Sequence, residues 1–225
     1  IHNDTLIFFV RYHGLNCDQT RHRTGLVLLK LKQNTNWHQK GSFVVVEFKN
    51  YKVRNVFNNH KLTIDGISIV ENVSGGAIPL IGQGIAHVVH KNESHLKIAF
   101  NGHPAKEWNL AKRLIYSGQQ GKLLLSIEGY GASNGYNQLL AWGIDRDGKR
   151  FYTQIEQAVV FAEACLFLPI AGRQVFHIPG NQLSATAEYG YNISNEPIGP
   201  LECPSNYKLV WQQGGQSGTI FLPLY

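Results

Sequence analysis

Apolar and polar residues alternate with a period of two along much of this chain. In the segment HLKIAF, Leu96, Ile98 and Phe100 fall on one face, and GKLLLSIEGY repeats the pattern. This is the period of a strand with one buried face. Three further segments are rich in β-branched and aromatic residues and favour central strands: TLIFFVR, GLVLLKLK and SFVVVEFKNYKV. The pattern predicts a mainly β protein.

Dipeptides with turn chemistry separate several of these runs. Asp65-Gly66, Asn134-Gly135 and Asp147-Gly148 accept the positive φ angles of a tight hairpin. At Asp65-Gly66 the apolar positions also change parity, which predicts a turn or a bulge at that point.

Two segments leave helix and strand open as alternatives. Residues 103–116 carry Pro104 at a plausible first helical position, with apolar residues at helical spacing. The segment TQIEQAVVFAEACLF has helical propensity, but a disulfide-bonded strand at Cys165 would compete with a helix. No repeat or long linker divides the chain. We therefore expect one domain over residues 1–225, with at most one or two short helices.

Composition and charge limit the classes of partner that the protein is expected to bind. The 225 residues carry a formal net charge of +6, and Lys and Arg are scattered apart from small clusters at Arg21/Arg23 and Lys149/Arg150. Nucleic acid is therefore not an expected partner, whereas sialylated or sulfated glycans are compatible. The apolar runs are too short or too interrupted for membrane insertion. The chain has no Met and begins at Ile1, which favours a processed, exported protein.

Three cysteines permit one disulfide and leave one thiol over. We predict a bridge between Cys165 and Cys203, because a modest loop with several strand-like runs separates them. Cys17 is then the odd thiol. The alternative is three reduced cysteines in a cytosolic protein.

The sequence carries no decisive catalytic signature. It contains no G-x-S-x-G, no cysteine in a papain-like context and no phosphate-binding loop. His87, His90 and His95 are close enough in sequence to suggest zinc, but His87 and His90 fall on opposite faces of a strand. We therefore predict no cofactor, no metal site and no catalytic residue.

Aromatic and amide side chains around one predicted turn are the best candidates for ligand binding. Sugar rings present apolar C–H faces that stack on Trp and Tyr, and their hydroxyls bond to amides and carboxylates. The predicted ligand-binding residues are Tyr130, Asn134, Tyr136, Asn137, Trp142 and, in a second loop, Trp37. The alternative is that Trp142 belongs to the core and that the tyrosines pack on the sheet.

The chain ends in QSGTIFLPLY, an alternating apolar strand that would be a liability at a sheet edge unless another strand covered it. This ending resembles the carboxyl-terminal strand of chaperone–usher fimbrial subunits and tip adhesins. The resemblance implies that a periplasmic chaperone and a neighbouring fimbrial subunit pair with this strand by β-augmentation. The strand-pairing residues would be Gly218, Ile220, Leu222 and Leu224.

The same resemblance implies a single antiparallel β-sandwich, immunoglobulin-like or jelly roll. Too little chain follows Cys203 for a separate pilin domain, so one sandwich is expected.

These inferences predict a secreted bacterial fimbrial or surface adhesin that passes through the periplasm and binds a host glycan or glycoprotein without enzymatic activity. Two alternatives stay open. A viral structural or surface β-sandwich protein fits the basic charge and the sequons. A secreted metal-dependent hydrolase would use the region of His87, His90 and His95. The N-x-[ST] sequons begin at Asn3, Asn72, Asn92 and Asn192.

Overall fold

The computed structural model describes residues 5–199 and 202–224. Its first seven strands are β1 (Thr5–Leu15), β2 (Arg21–Lys32), β3 (Ser42–Asn55), β4 (Lys61–Asn72), β5 (His87–Phe100), β6 (Lys106–Gln119) and β7 (Lys122–Gly129). The next seven are β8 (Gly131–Ser133), β9 (Tyr136–Ile144), β10 (Arg150–Ala162), β11 (Leu168–Ile178), β12 (Leu183–Tyr191), β13 (Asn206–Gln213) and β14 (Gln216–Pro223). Three single 3₁₀ turns complete the regular structure: Ile78–Leu80, Glu163–Cys165 and Pro179–Asn181.

All fourteen strands belong to one antiparallel sheet. The order is β1-β2-β3-β4-β5-β6-β7-β10-β11-β12-β13-β14, with β8 and β9 beside this path. Neighbours along the path are mostly consecutive in sequence, because short turns lead each strand back against the previous one. The prediction of a mainly β fold is confirmed. The predicted two-layer sandwich is not confirmed, since the strands form a single hydrogen-bonded sheet.

The pairings of β6, β7, β10 and β9 close a small ring of four strands. One edge of β6 is occupied by β5 from Lys106 to Ser117. On its other edge β6 therefore pairs with β7 through Lys112–Gln119 and with β9 through Trp108–Leu110. Strands β7 and β9 both lie between β6 and β10, and each pairs with a different part of these two strands. Strand β8 follows β7 in the chain and pairs with β9, and we call this β8–β9 pair the inserted hairpin.

Much of the sheet is a single layer. The chain exposes 13598 Å² to solvent, against about 10,300 Å² for a compact monomer of 25.2 kDa. The extensive contacts between strands join hydrogen-bonded neighbours or the successive strands β7 and β9. Few side chains are consequently fully buried, and the sheet presents two broad faces.

The best-buried cluster lies on one face near β9, β10 and β11. Phe151, at 2% exposure, packs with Ala141 and Ile178. The ring of Trp108 lies 4.6 Å from that of Phe151, and Phe176 covers the other side at 5.9 Å. These aromatic contacts give the centre of the sheet the local core that the single layer lacks elsewhere.

A bulge interrupts the pairing of β3 with β4. The pairing of β3 with β4 shifts between Phe48 and Tyr51, and the backbone N–H of Asn50 donates to the carboxylate of Asp65 at 2.7 Å. Gly66 beside it has φ +123°, and a Cβ there would collide with the carbonyl oxygen of His95. Only glycine fits this position. Asp65-Gly66 therefore forms no hairpin turn; it lies within β4 opposite a bulge whose extra residue is in β3.

The other local predictions have mixed outcomes. Asn134 and Gly135 both have positive φ, 49° and 83°, and form the tight turn of the β8–β9 hairpin. Residues 106–116 lie in strand β6 instead of a helix, because their backbone pairs with β5 on one edge and with β9 and β7 on the other. The segment TQIEQAVVFAEACLF lies mainly in β10, and only Glu163–Cys165 makes a helical turn.

The predicted disulfide is confirmed. Cys165 and Cys203 are bonded, with their Cα atoms 5.3 Å apart, and Cys17 is a free, exposed thiol. Within residues 5–199 and 202–224, no helix is long and apolar enough to cross a membrane.

Candidate functional site

The inserted β8–β9 hairpin lies over one face of the sheet and is fixed there by aromatic contacts. The ring of Tyr136 stacks on that of Tyr152 in β10, with centroids 4.4 Å apart and planes 19° from parallel. The amide of Asn134 donates to the hydroxyl of Tyr152 at 2.7 Å. His177 in β11 lies 5.4 Å from Tyr136. Two predicted ligand-binding residues, Asn134 and Tyr136, are therefore brought together.

Trp142 stands in a row of polar and aromatic residues that crosses five strands on this same face. Strand register aligns the members of the row, which we call the aromatic row: His95, Asn109, Trp142, Tyr152 and His177. At one end, the ring of His95 is hydrogen-bonded to the amide oxygen of Asn109 at 2.8 Å. Tyr152 is buried, whereas the other aromatic members are half-exposed or exposed.

The indole of Trp142 also packs against the start of the inserted hairpin. A Cβ at Gly131 would collide with the six-membered ring of Trp142. The absence of a side chain at Gly131 lets the hairpin cross directly over the indole. Trp142 therefore both supports the hairpin and contributes to a face that solvent reaches.

A shallow groove opens beside the end of the row that carries His95. Its volume is about 490 Å³. We call it the polar groove; its lining consists of Asp65, Gly66, His95, Leu96, Lys97, Glu107 and Asn109. Asp65, Lys97 and Glu107 are aligned by the register of β4, β5 and β6. The groove thus offers the carboxylates of Asp65 and Glu107, the amide of Asn109 and the imidazole of His95. The indole of Trp142 on β9 lies next to it.

Tyr130 lies at the base of the hairpin and is engaged by its neighbours. Its hydroxyl donates to Glu93 at 2.9 Å, and the ammonium of Lys91 lies 5.2 Å from its ring centre. Burial, followed by the bond to Glu93, raises the pKa of Tyr130 above its ordinary value. The phenol therefore stays neutral and anchors the hairpin.

Burial also affects the histidine at the far end of the aromatic row. It lowers the pKa of His177, an effect that the nearby charge of Glu156 partly opposes. The imidazole is thus biased towards its neutral form, which both donates and accepts a hydrogen bond.

The remaining predicted ligand residues lie apart. Asn137 is exposed on the hairpin. Trp37 lies in the β2–β3 loop, where its carbonyl oxygen accepts hydrogen bonds from Ser42 and Asn72 and its ring packs 5.2 Å from His90. His90 and His95 are an odd number of positions apart on an uninterrupted strand, so Trp37 lies on the face opposite the polar groove.

The histidines of β5 do not gather around a common point. His90 is buried between Trp37 and Tyr116, and burial lowers its pKa. His87 is exposed, and His95 belongs to the aromatic row. No group of three or more potential metal ligands occurs in the part of the chain that the structure describes.

One sequon is incompatible with modification of the folded chain. Asn72 is fully buried, and its amide donates to the carbonyls of Trp37 and Gly76. Asn92 and Asn192 are half-buried, and Asn3 lies outside the described residues.

Strand β14 forms one edge of the sheet. It pairs with β13 along its length, and Gly218 lies opposite Trp211, whose indole occupies the space a Cβ would need. Ile220 is 44% exposed, while Leu222 and Leu224 are half-buried. The outer edge of β14 pairs with no other strand among the described residues. Pairing with a chaperone or a neighbouring subunit stays a prediction.

Sequence reasoning missed the polar groove and three of the five members of the aromatic row. Asp65 was read only as part of a turn, and Glu107, Asn109, Tyr152 and His177 were not selected. Strand periodicity predicts which residues of a single strand share a face with Trp142 or with Tyr152. That these two residues are neighbours depends on the register between β9 and β10.

Comparison with protein-family models, with curated proteins and with solved structures finds no match to this chain.

Proposed function

We propose that this protein is a non-enzymatic glycan-binding protein of the surface-adhesin type, with the polar groove as its ligand site. The observation that carries the proposal is the position of Trp142 next to a groove lined by Asp65, His95, Glu107 and Asn109. An indole beside carboxylate and amide groups matches the two kinds of surface that a sugar ring presents.

The shape of the site suits a sugar chain bound along a surface. The groove is open and shallow, so a ligand would bury only part of its area. Such a contact gives low affinity for a single sugar, and several copies held together would bind a surface much more firmly. This is the regime in which an adhesin works.

The disulfide supports export, because stable disulfides form in oxidising compartments such as the periplasm. The proposed location is therefore the bacterial cell surface or a fimbrium.

A glycan array with matched variants tests the binding proposal. Glu107→Gln removes a charge from an exposed groove residue without changing its size, and we expect about a tenfold loss of affinity, as for a hydrogen bond to a charged group. Trp142→Phe keeps an aromatic ring against Gly131 and should weaken binding several-fold. Trp37→Phe, on the opposite face, is the matched control and should bind as the wild type does.

Two outcomes would contradict the proposal. In the first, the wild-type protein binds neither the array nor host-cell surfaces. In the second, it binds, but Glu107→Gln and Trp142→Phe leave binding unchanged. Mass spectrometry of bound oligosaccharides after incubation would reveal shortened products if Asp65 and Glu107 acted as a catalytic pair, which would overturn the non-enzymatic part.

The fimbrial part of the proposal rests on the outer edge of β14. An exposed strand edge offers unpaired backbone groups to a partner strand. We expect co-purification with a periplasmic fimbrial chaperone after co-expression, and we expect Ile220→Lys to abolish it while Ser217→Lys has less effect. If the protein assembled symmetrically with itself in the absence of a chaperone and bound no glycan, the viral structural alternative would be favoured instead.

A further inference from the structure

A second groove, formed by β2, β3 and β4, gathers basic residues that are scattered in the sequence. Its volume is about 370 Å³. We call it the cationic groove; its lining consists of His22, Thr24, Lys52, Val53, Arg54, Lys61, Thr63 and Gly102. Strand register arranges six of these residues in two rows across three strands, His22–Arg54–Lys61 and Thr24–Lys52–Thr63.

The two rows place several donors within a small area of one face. Adjacent strands lie about 4.8 Å apart, and residues i and i+2 of a strand lie about 7 Å apart. Arg54 is therefore flanked by His22 and Lys61, with Lys52 one row above. The hydroxyls of Thr24 and Thr63 stand on either side of Lys52. This arrangement offers an anion both charge and directed hydrogen bonds.

Among the residues that the structure describes, no carboxylate forms an ion pair with the lysines and the arginine of the groove, Lys52, Lys61 and Arg54. Asp65 is the next residue on the same face of β4, but its carboxylate accepts the backbone N–H of Asn50. Asp18 lies in the exposed β1–β2 turn. Like charges placed together repel one another, and a bound anion relieves that repulsion.

We propose that the cationic groove binds sulfate groups of a sulfated oligosaccharide. Sulfate esters closely spaced along a flexible sugar chain match cations and hydroxyls arranged in two short rows. Single-stranded nucleic acid also carries closely spaced anions, but proteins bind it by stacking its bases on aromatic side chains. The lining of this groove contains no Phe, Tyr or Trp.

This site is separate from the polar groove, although both lie on the same face of β4, where Lys61, Thr63 and Asp65 follow one another at alternate positions. The proposal therefore does not depend on neutral-sugar recognition. The two linings share no residue, so we expect variants in one groove to leave the other intact and the two proposals to fail or succeed independently.

Binding of a labelled, fully sulfated heparin-derived hexasaccharide tests the inference. Its desulfated, N-acetylated counterpart should bind at least tenfold more weakly. The double variant Lys52→Ala/Arg54→Ala should lose at least tenfold in affinity, and the slope of log Kd against log salt concentration should fall by about two, one for each cation removed. Thr24→Val/Thr63→Val keeps charge and shape and should cost several-fold.

Matched controls distinguish binding at the cationic groove from attraction to the overall positive charge of the protein. Lys122→Ala/Arg146→Ala removes one Lys from β7 and one Arg from the β9–β10 turn, both outside the groove, and should change affinity less than twofold. Glu107→Gln and Trp142→Phe should leave hexasaccharide binding unchanged. Far-UV circular dichroism and urea unfolding verify that each variant is folded.

Three results would overturn the inference. The control double variant could lose as much affinity as Lys52→Ala/Arg54→Ala, which would assign binding to net charge. The desulfated sugar could bind as well as the sulfated one. A labelled oligo(dT) could bind more tightly than the hexasaccharide and respond more strongly to the groove variants, which would make the groove a nucleic-acid site.

Discussion

Strands β1 and β10 are both rich in apolar residues, yet they differ sharply in burial. In β1, Phe8 and Phe9 are 53% and 70% exposed, and no residue of the strand is buried. In β10, Phe151 and Tyr152 are 2% and 4% exposed. Strand β1 has one neighbour and lies at the edge of the single layer. Strand β10 has neighbours on both sides and carries the inserted hairpin, so position in the sheet decides burial.

The difference indicates where stability is concentrated. The inserted hairpin and the aromatic cluster around Phe151 give the centre of the sheet a local second layer. The strands from β1 to β4 depend mainly on backbone pairing and on half-buried side chains. We expect the centre to resist unfolding, and amides of β1 to exchange with solvent faster than those of β10.

The sharpest test of this comparison is to remove one phenylalanine from each strand. Phe151→Ala deletes a ring that contacts Trp108 and Phe176 and should lower the free energy of unfolding by about 3–5 kcal/mol. Phe9→Ala should cost less than about 0.5 kcal/mol, because its ring is mostly in solvent. Urea unfolding followed by circular dichroism gives both values. Equal losses would show that the two regions are equally packed.

Reduction of the disulfide, which joins the turn after β10 to the loop before β13, should also lower the stability of the protein. The bond between Cys165 and Cys203 closes a loop with a sequence separation of 38. Its loss should lower the free energy of unfolding by up to about 4 kcal/mol, from the added entropy of the unfolded chain. Urea unfolding with and without reductant measures the effect, and Cys17→Ser controls for the free thiol. No change on reduction would contradict this view of the bridge.

A substitution at the bulge examines the single-layer region by itself. Gly66→Ala places a methyl group against the carbonyl oxygen of His95 and forces alanine to a φ of +123°. We expect the free energy of unfolding to fall by about 1–3 kcal/mol. Hydrogen exchange should show faster opening of β4 and β5 and little change in β10. Gly135→Ala, where nothing lies within 4 Å, separates φ strain from the collision.

The smallest expected effect is a dependence of stability on pH from His90. Burial lowers the pKa of this imidazole, and its Nε2 has no hydrogen-bond partner among the described residues. The unfolded chain, with a histidine pKa of about 6.5, takes up a proton first as the pH falls. The stability due to neutral His90 is therefore fully present above about pH 6.5 and is lost as the pH falls towards the folded-state pKa.

Urea midpoints at pH 7.5 and pH 5.5 measure this effect. His90→Phe should reduce the fall between the two values, since it removes the group that titrates. The fall in midpoint that remains in His90→Phe should become smaller when His177→Phe is added, because burial lowers the pKa of His177 as well. An unchanged fall in both variants would exclude these two histidines as its source.

Local patterns in the sequence determined the strands, the Asn134-Gly135 turn and the Cys165–Cys203 pair. Each depends on residues that are neighbours in the chain, or on the pairing options left to three cysteines. The period of two identified β5 and β7 because side chains alternate between faces whatever lies next to them. It left residues 103–116 open, since short apolar spacings fit a helix as well as the strand that they form in β6.

The tertiary structure alone decided the single sheet, the shared space of β7 and β9, and both grooves. The amino acids that line the grooves come from strands distant in sequence, and their alignment depends on register, which a shift of one residue would reverse. Arg54 came to lie between His22 and Lys61 only through the pairing of three strands. The sequence thus supplied the chemistry of both sites, and long-range backbone pairing determined where that chemistry came together.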